Sequence, residues 1–275
     1  MIVIGIVLKS LRLAIILQNI REYKSIIIVH YIGILINSFI PFRMGELFMI
    51  FELSKKLKKL KTSITSFLIM DRLFEFLMVG IIFTYCTLQY NLNIDNKNIV
   101  YYLVGFLMFS LTILLIVLKF RIAIKNKLSL HLKKNNKFKY PKLFSLMKNL
   151  FFEINSLIKP KTIISVFLLS IMSITLFILS LYFVAKAFIN EPIFISIILS
   201  YCLLIIGIAI TSSPGGIGII HAAITYGLIL FGVNENQALI VAISFHLLNL
   251  IHSVIFGIGS IVVSDIKIST KIFKR

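Results

Sequence analysis

Residues 193–218 read IFISIILSYCLLIIGIAITSSPGGIG, and this stretch decides the fold class. Its apolar part, 193–211, is just long enough to cross the hydrocarbon core of a bilayer, which takes about 20 residues in a helix. It lacks the strict alternation of a barrel strand. Three glycines and one proline then interrupt it at 214–218. Proline removes a backbone donor, and glycine admits turns that other residues resist. A tight break with exposed amides is therefore expected, with a new helix opening near Ile217. A plain interhelical turn is the alternative. No charge falls between 192 and 220, which favours a re-entrant element buried in protein or membrane.

The rest of the chain agrees with this solvent. Of 275 residues, 59% are hydrophobic and the mean hydropathy is +1.01. Only 14% are charged, about half the share of soluble domains. Spanning backbone must satisfy its own hydrogen bonds, so the apolar runs are read as helices. The net charge of +19 is placed by position, not by a nucleic-acid partner. Five lysines sit in 55–61, twelve Lys/Arg lie between Lys119 and Lys161, and four close the chain. All flank apolar runs, as the positive-inside rule requires. Cys86 and Cys202 lie inside apolar runs, and no disulfide framework or metal-ligand spacing is present.

Four segments read as full crossings: 64–89, 99–118, 162–185 and 237–263. Residues 1–20, interrupted by Lys9 and Arg12, residues 25–51, broken at Pro41 and Arg43, and residues 217–232 are ambiguous by length. The expectation is one integral membrane domain over 1–275. It is an all-α polytopic bundle of six to eight transmembrane or re-entrant helices. Loops 90–98 and 186–192 read as outside; 52–62, 119–161 and the C-terminus read as cytoplasmic. Leu143, Leu146, Met147, Leu150, Phe151 and Ile154 recur at helical spacing among lysines. That pattern fits an amphipathic helix on the membrane surface or one packed on the bundle.

Charged residues inside apolar segments are costly and mark function by default. One group is Asn37-Ser38-Phe39-Ile40-Pro41-Phe42-Arg43-Met44-Gly45-Glu46, where the helix should break. A second is Asp71, Arg72 and Glu75, with Asp71 and Glu75 on one helical face and Arg72 within reach of Glu75. Arg43 is expected to help neutralise this acidic pair. The group either fixes helix packing or handles a polar headgroup or protons. The third group is Ser213, Pro214, Gly215, Gly216 and Gly218, whose amides suit phosphate at a helix start, followed by His221. His246, Asn249 and Ser253 share one face of the last helix, with His252 off it.

These groups repeat. Pro41 and Gly45 are spaced as Pro214 and Gly218 are, and Glu46 precedes Arg72 by nearly the interval that separates His221 from His246. Each half has a Pro/Gly-broken segment and a polar residue on the next helix. Such a pattern points to a midplane site between pseudo-repeated halves.

The run Asn37–Glu46, the basic stretch after it, Asp71-Arg72-Leu73-Phe74-Glu75, Ser213–Gly218 and Phe231-Gly232-Val233 together resemble the membrane region of lysylphosphatidylglycerol synthases and their stand-alone flippase-like relatives. The resemblance covers roughly residues 10–262. It implies a helical bundle with re-entrant segments that moves an aminoacyl- or glyco-lipid between leaflets. Relatives commonly carry glutamate where His221 stands and arginine where His246 stands, so here two titratable imidazoles replace that pair. The family's N-terminal helix is expected to be partly missing. The soluble aminoacyl-transfer domain is expected to be absent, and lipid synthesis with it.

The leading functional expectation is translocation of an anionic lipid in a cell membrane, with no cofactor or metal. Arg43 and Arg72 would hold the phosphate; Glu46, Asp71 and Glu75 would hold the arginines or headgroup amines. Partners would be membrane lipids and anionic headgroups at the cytoplasmic face. A homo-oligomer or a membrane enzyme partner is compatible with this. A non-catalytic subunit that anchors a lipid-linked glycosyltransferase is the alternative, and an intramembrane transferase fits less well because only one close acidic pair exists.

Overall fold

A computed structural model describes residues 1–89, 160–210, 213–264 and 266. The expected span 99–118, the loop 90–98, the surface helix within 119–161 and most of the basic tail lie outside the described residues. Eight α-helices and no strand occur among the described ones: α1 (Ile2–Ile16), α2 (Tyr23–Phe39), α3 (Met44–Lys56), α4 (Lys61–Gln89), α5 (Pro160–Lys186), α6 (Phe194–Ile210), α7 (Ile219–Ile229) and α8 (Glu235–Val263). The protein is an all-helical polytopic membrane protein. The two longest apolar helices, α5 and α8, are long enough to cross a bilayer. Their outer faces are apolar: Leu239, Ile243, Leu247, Ile251 and Ile255 line one exposed stripe of α8 at four-residue intervals. An exposed hydrophobic face of that size needs lipid, not water, as its solvent.

Neighbouring side chains set the helix directions. Lys59 Nζ donates to the Leu17 carbonyl at 2.6 Å, which puts the end of α1 beside the start of α4. Ser10 faces His30, so α2 returns antiparallel to α1. At the opposite end Gln237, opening α8, donates to the Phe188 carbonyl just past α5. Calling the lysine-rich end basic, α2 and α3 form a hairpin that enters from it and returns to it. Helices α6 and α7 form a second hairpin that enters from the far end. Helix α7, with eleven residues, rises only ~16 Å and cannot span a bilayer. Each hairpin closes where a glycine admits a neighbour. A side chain on Gly45 would strike the Gly33 carbonyl, and one on Gly227 would strike Ser200. The expected break at the second segment is confirmed, but α7 opens at Ile219, after a 3-10 turn at Pro214–Gly216. Gly216 and Gly218 hold positive φ there and delay the helix by two residues.

The bundle has two apolar cores separated by a polar layer. Ile6, Phe83, Ile174, Leu181 and Cys202 belong to one core; Leu13, Val29, Phe48, Phe67 and Val166 belong to the other, nearer the basic end. Between them lie the buried polar residues Ser10, Arg12, His30, Asp71, Glu75 and Ser170. Asp71 is ten residues past Lys61, ~15 Å along α4, which is half of the ~30 Å hydrocarbon thickness. Helix α1 begins the chain at ambiguous length in the sequence; here its Lys9 and Arg12 complete this layer and α5 covers it.

Candidate functional site

The polar layer is held by fork geometry. Arg12 donates from Nε and Nη2 to the two carboxylate oxygens of Asp71 at 2.7 and 2.9 Å, and from Nη1 to Ser170 Oγ at 3.1 Å. Arg12 is completely buried. Lys9 Nζ lies 2.5 Å from Glu75 Oε1, and Arg72 Nη1 donates to Glu75 Oε2 at 2.9 Å. Paired charge of this kind is tolerated at low dielectric when hydrogen bonds accompany the ion pair, and here both oxygens of each carboxylate accept one. Arg72 offsets part of the Asp71/Glu75 charge, as expected, through Glu75; the expectation that Arg43 adds to it is overturned, because Lys9 and Arg12 supply the rest from α1. The sequence marks those two only as interruptions of an apolar stretch. The rule that a charge at membrane depth demands a partner applies to α1 as it does to α4, and it is the signal that identifies them.

Arg43 faces elsewhere. The chain leaves α2 at Phe39, and Phe42 and Arg43 both adopt left-handed backbone, with φ of 61 and 52°. Non-glycine residues rarely hold that conformation, so the break is strained and aims the arginine out of the hairpin. Its Nη2 donates to the Ile208 carbonyl at 2.7 Å. That carbonyl lies in the last turn of α6, which ends at Ile210. Arg43 thus caps the second hairpin, with its positive charge at the negative end of the helix dipole.

The second tip meets the first. A methyl on Gly215, whose φ is +59°, would stand 2.8 Å from the Ser38 carbonyl oxygen. Ser38 Oγ also bonds Ser253 of α8 at 3.0 Å. Behind the second tip, His246 Nδ1 and His221 Nε2 are 2.9 Å apart, so one imidazole donates to the other. The match of two broken segments that the sequence spacing suggests is therefore a contact. His252 instead packs at a tilt against the rings of Tyr31 and Phe256, away from this pair.

Between the tips lies a cavity of about 210 Å³, lined by Asn37, Arg43, Glu46, Arg72, Ser213 and Gly215 among others. That is smaller than the ~300–1,000 Å³ of drug-sized sites, and suits a headgroup more than a whole lipid. Glu46 Oε1 lies 3.3 Å from Arg43 Nη1 and 3.2 Å from Arg72 Nη2. Of the candidate residues, Asn37, Arg43, Glu46, Arg72, Ser213, Gly215 and Gly216 come together at this cavity. Asp71 and Glu75 stand behind it in the buried layer; Gly218, His221 and His246 lie outside its lining. Asn37 accepts from the Gly45 amide at 2.7 Å, which ties the hairpin shut beside the cavity.

A family model described as the lysylphosphatidylglycerol synthase TM region matches residues 1–257. No curated protein and no solved structure matches the chain.

Proposed function

The chain belongs to the family of lysylphosphatidylglycerol synthase transmembrane regions, and from that premise we propose that it translocates an anionic lipid between the leaflets of a cell membrane. The observation that carries this reading is the juxtaposition of two guanidinium groups with the tips of two hairpins that enter from opposite ends. A site bounded by both tips is reachable from either leaflet by moving one hairpin at a time, which is how alternating access works around a midplane site. The headgroup phosphate would lie against Arg43 and Arg72 while the acyl chains stay in lipid along the apolar outer faces.

The basic end is assigned to the cytoplasm, since Lys/Arg-rich connections stay on that side. The reaction would be transfer without chemistry. The acidic pair on α4 is spent on Lys9, Arg12 and Arg72, which makes it a poor metal or acid–base centre for a lipid transferase. The test is leaflet exchange of fluorescent phospholipid and polyprenyl-phosphate probes in proteoliposomes, comparing wild type with Arg43→Gln and Arg72→Gln. Transfer lost in both variants supports the reading, and no transfer of any probe by well-folded wild type overturns it.

A further inference from the structure

Six ion pairs join Lys9, Arg12, Arg43 and Arg72 to Glu46, Asp71 and Glu75 in one connected network. The buried half is balanced, with Lys9 and Arg12 against Asp71 and Glu75. The half that lines the cavity is not: among the described residues Arg43 has Glu46 as its one carboxylate, and Arg72 divides its contacts between Glu46 and Glu75, which Lys9 and Arg12 already hold. Among the described residues, four positive charges thus stand against three negative ones, and the excess lies at the cavity wall. An uncompensated charge at this depth is expensive, so the network has an electrostatic demand for one further negative charge.

The geometry shows where that charge would sit. Glu46 meets both guanidinium groups through a single oxygen, at 3.3 and 3.2 Å. Charge-assisted N–H···O bonds usually measure about 2.7–2.9 Å, so this carboxylate is loosely held. The guanidinium groups are not. Arg43 is anchored at 2.7 Å on the Ile208 carbonyl, and Arg72 at 2.9 Å on Glu75. Glu46 can leave while both arginines keep their places. On the same cavity, Ser213 Oγ is buried and has no hydrogen-bond partner among the described residues. A buried hydroxyl without a partner costs free energy that a ligand oxygen would recover.

We propose that this cavity is a monoanion site, in which a phosphodiester oxygen takes the place that Glu46 Oε1 holds between Arg43 and Arg72, with Ser213 donating a third hydrogen bond. The identity of the ligand as a lipid rests on the translocation reading; its single charge and its exchange with Glu46 do not. Glu46 is the resident competitor. It holds the two arginines together before the headgroup arrives and helps to expel the headgroup afterwards, so binding stays weak enough for turnover.

Binding to the purified protein in nonionic detergent tests this with three probes: short-chain phosphatidylglycerol, short-chain phosphatidic acid and water-soluble glycerophosphoglycerol. The measurement is made near pH 8, about two units above the second pKa of a phosphomonoester, where phosphatidic acid is largely dianionic. Wild type is expected to prefer the diester. Glu46→Gln raises the excess charge to two, so it should tighten anion binding about tenfold and shift the preference to the dianion. Preference of wild type for the dianion overturns the proposal, as does a Glu46→Gln protein that elutes and melts like wild type yet binds no tighter. The wild-type comparison stands even where the variant fails to fold. Weaker binding of glycerophosphoglycerol than of the lipid supports a lipid source for the diester. Equal binding supports the monoanion chemistry and assigns it to a soluble diester. Leaflet exchange on the same preparations separates the two claims. Transfer without valence preference overturns the monoanion site alone, and valence preference without transfer overturns translocation alone.

Discussion

Arg43 on the first hairpin donates to the carbonyl of Ile208 on the second at 2.7 Å, and this bond fastens two elements that enter the bundle from opposite ends. It is made possible by two features at once. The left-handed backbone at Phe42 and Arg43 turns the guanidinium outward, and Ile208 stands in the last turn of α6, where the helix dipole presents its negative end. Neither feature is useful without the other. The arginine has two duties, to cap a helix and to present its second nitrogen to the cavity.

Replacing Arg43 tests both duties. Arg43→Gln removes the charge, and its amide nitrogen stops two bonds short of the Nη2 that reaches Ile208. Leaflet transfer should fall at least about tenfold, the scale of a lost hydrogen bond to a charged group. Arg43→Lys restores the charge without the fork geometry and should recover transfer only in part. Full activity in Arg43→Gln would remove this residue from the site.

Two glycines on the second tip isolate the contact between hairpins. Gly215 and Gly218 both hold positive φ, 59 and 86°, but a methyl on Gly215 meets the Ser38 carbonyl whereas one on Gly218 meets nothing within 4 Å. Alanine at either position carries the backbone strain, about 1 kcal/mol or more. Only Gly215→Ala should also push the tips apart. The expected result is similar thermal destabilisation in both variants, with transfer impaired in Gly215→Ala alone. Equal transfer in the two would mean that the tip contact is incidental.

The imidazole pair offers a cycle of substitutions. His246 and His221 share one hydrogen bond of 2.9 Å, worth about 1 kcal/mol net in a typical case. Each single change to alanine should destabilise the protein, and the double variant should lose less than their sum, because the second substitution removes a group already without its partner. Strict additivity in thermal or denaturant melts would show that the two rings act separately.

Much of the architecture was legible because the bilayer leaves few choices. Apolar runs had to be helices, and a Pro/Gly interruption in such a run had to face protein or a cavity, so both breaks could be placed within two residues. The site was partly legible for the same reason: Arg43, Glu46, Arg72 and Ser213 are polar groups with no soluble surface to occupy. What could not be read was pairing. Sequence spacing puts Arg72 near Glu75 on one helix, but nothing in the spacing of α1 and α4 says that Arg12 lies against Asp71. That pair depends on the direction and rotation of two helices nearly sixty residues apart. It also decides which acidic residues remain for the cavity, and the answer is Glu46 rather than Asp71.

The Arg12–Asp71 pair can itself be tested as packing. Its atoms are buried, doubly bonded and outside the cavity lining, so its role is to orient α4 and thereby Arg72. Asp71→Leu alone leaves a guanidinium unpaired in the bundle and should cost about 3–5 kcal/mol, as should Arg12→Met alone, which leaves the carboxylate. The double variant Arg12→Met/Asp71→Leu replaces both charges with apolar groups of comparable size. It keeps the network's excess of one positive charge, since one charge of each sign is removed. The expected outcome is poor expression or low melting for each single variant, with stability and leaflet transfer largely restored in the double. Restored stability with transfer still lost would move Asp71 from the scaffold into the transport path, and the cavity would then have to extend into the buried layer.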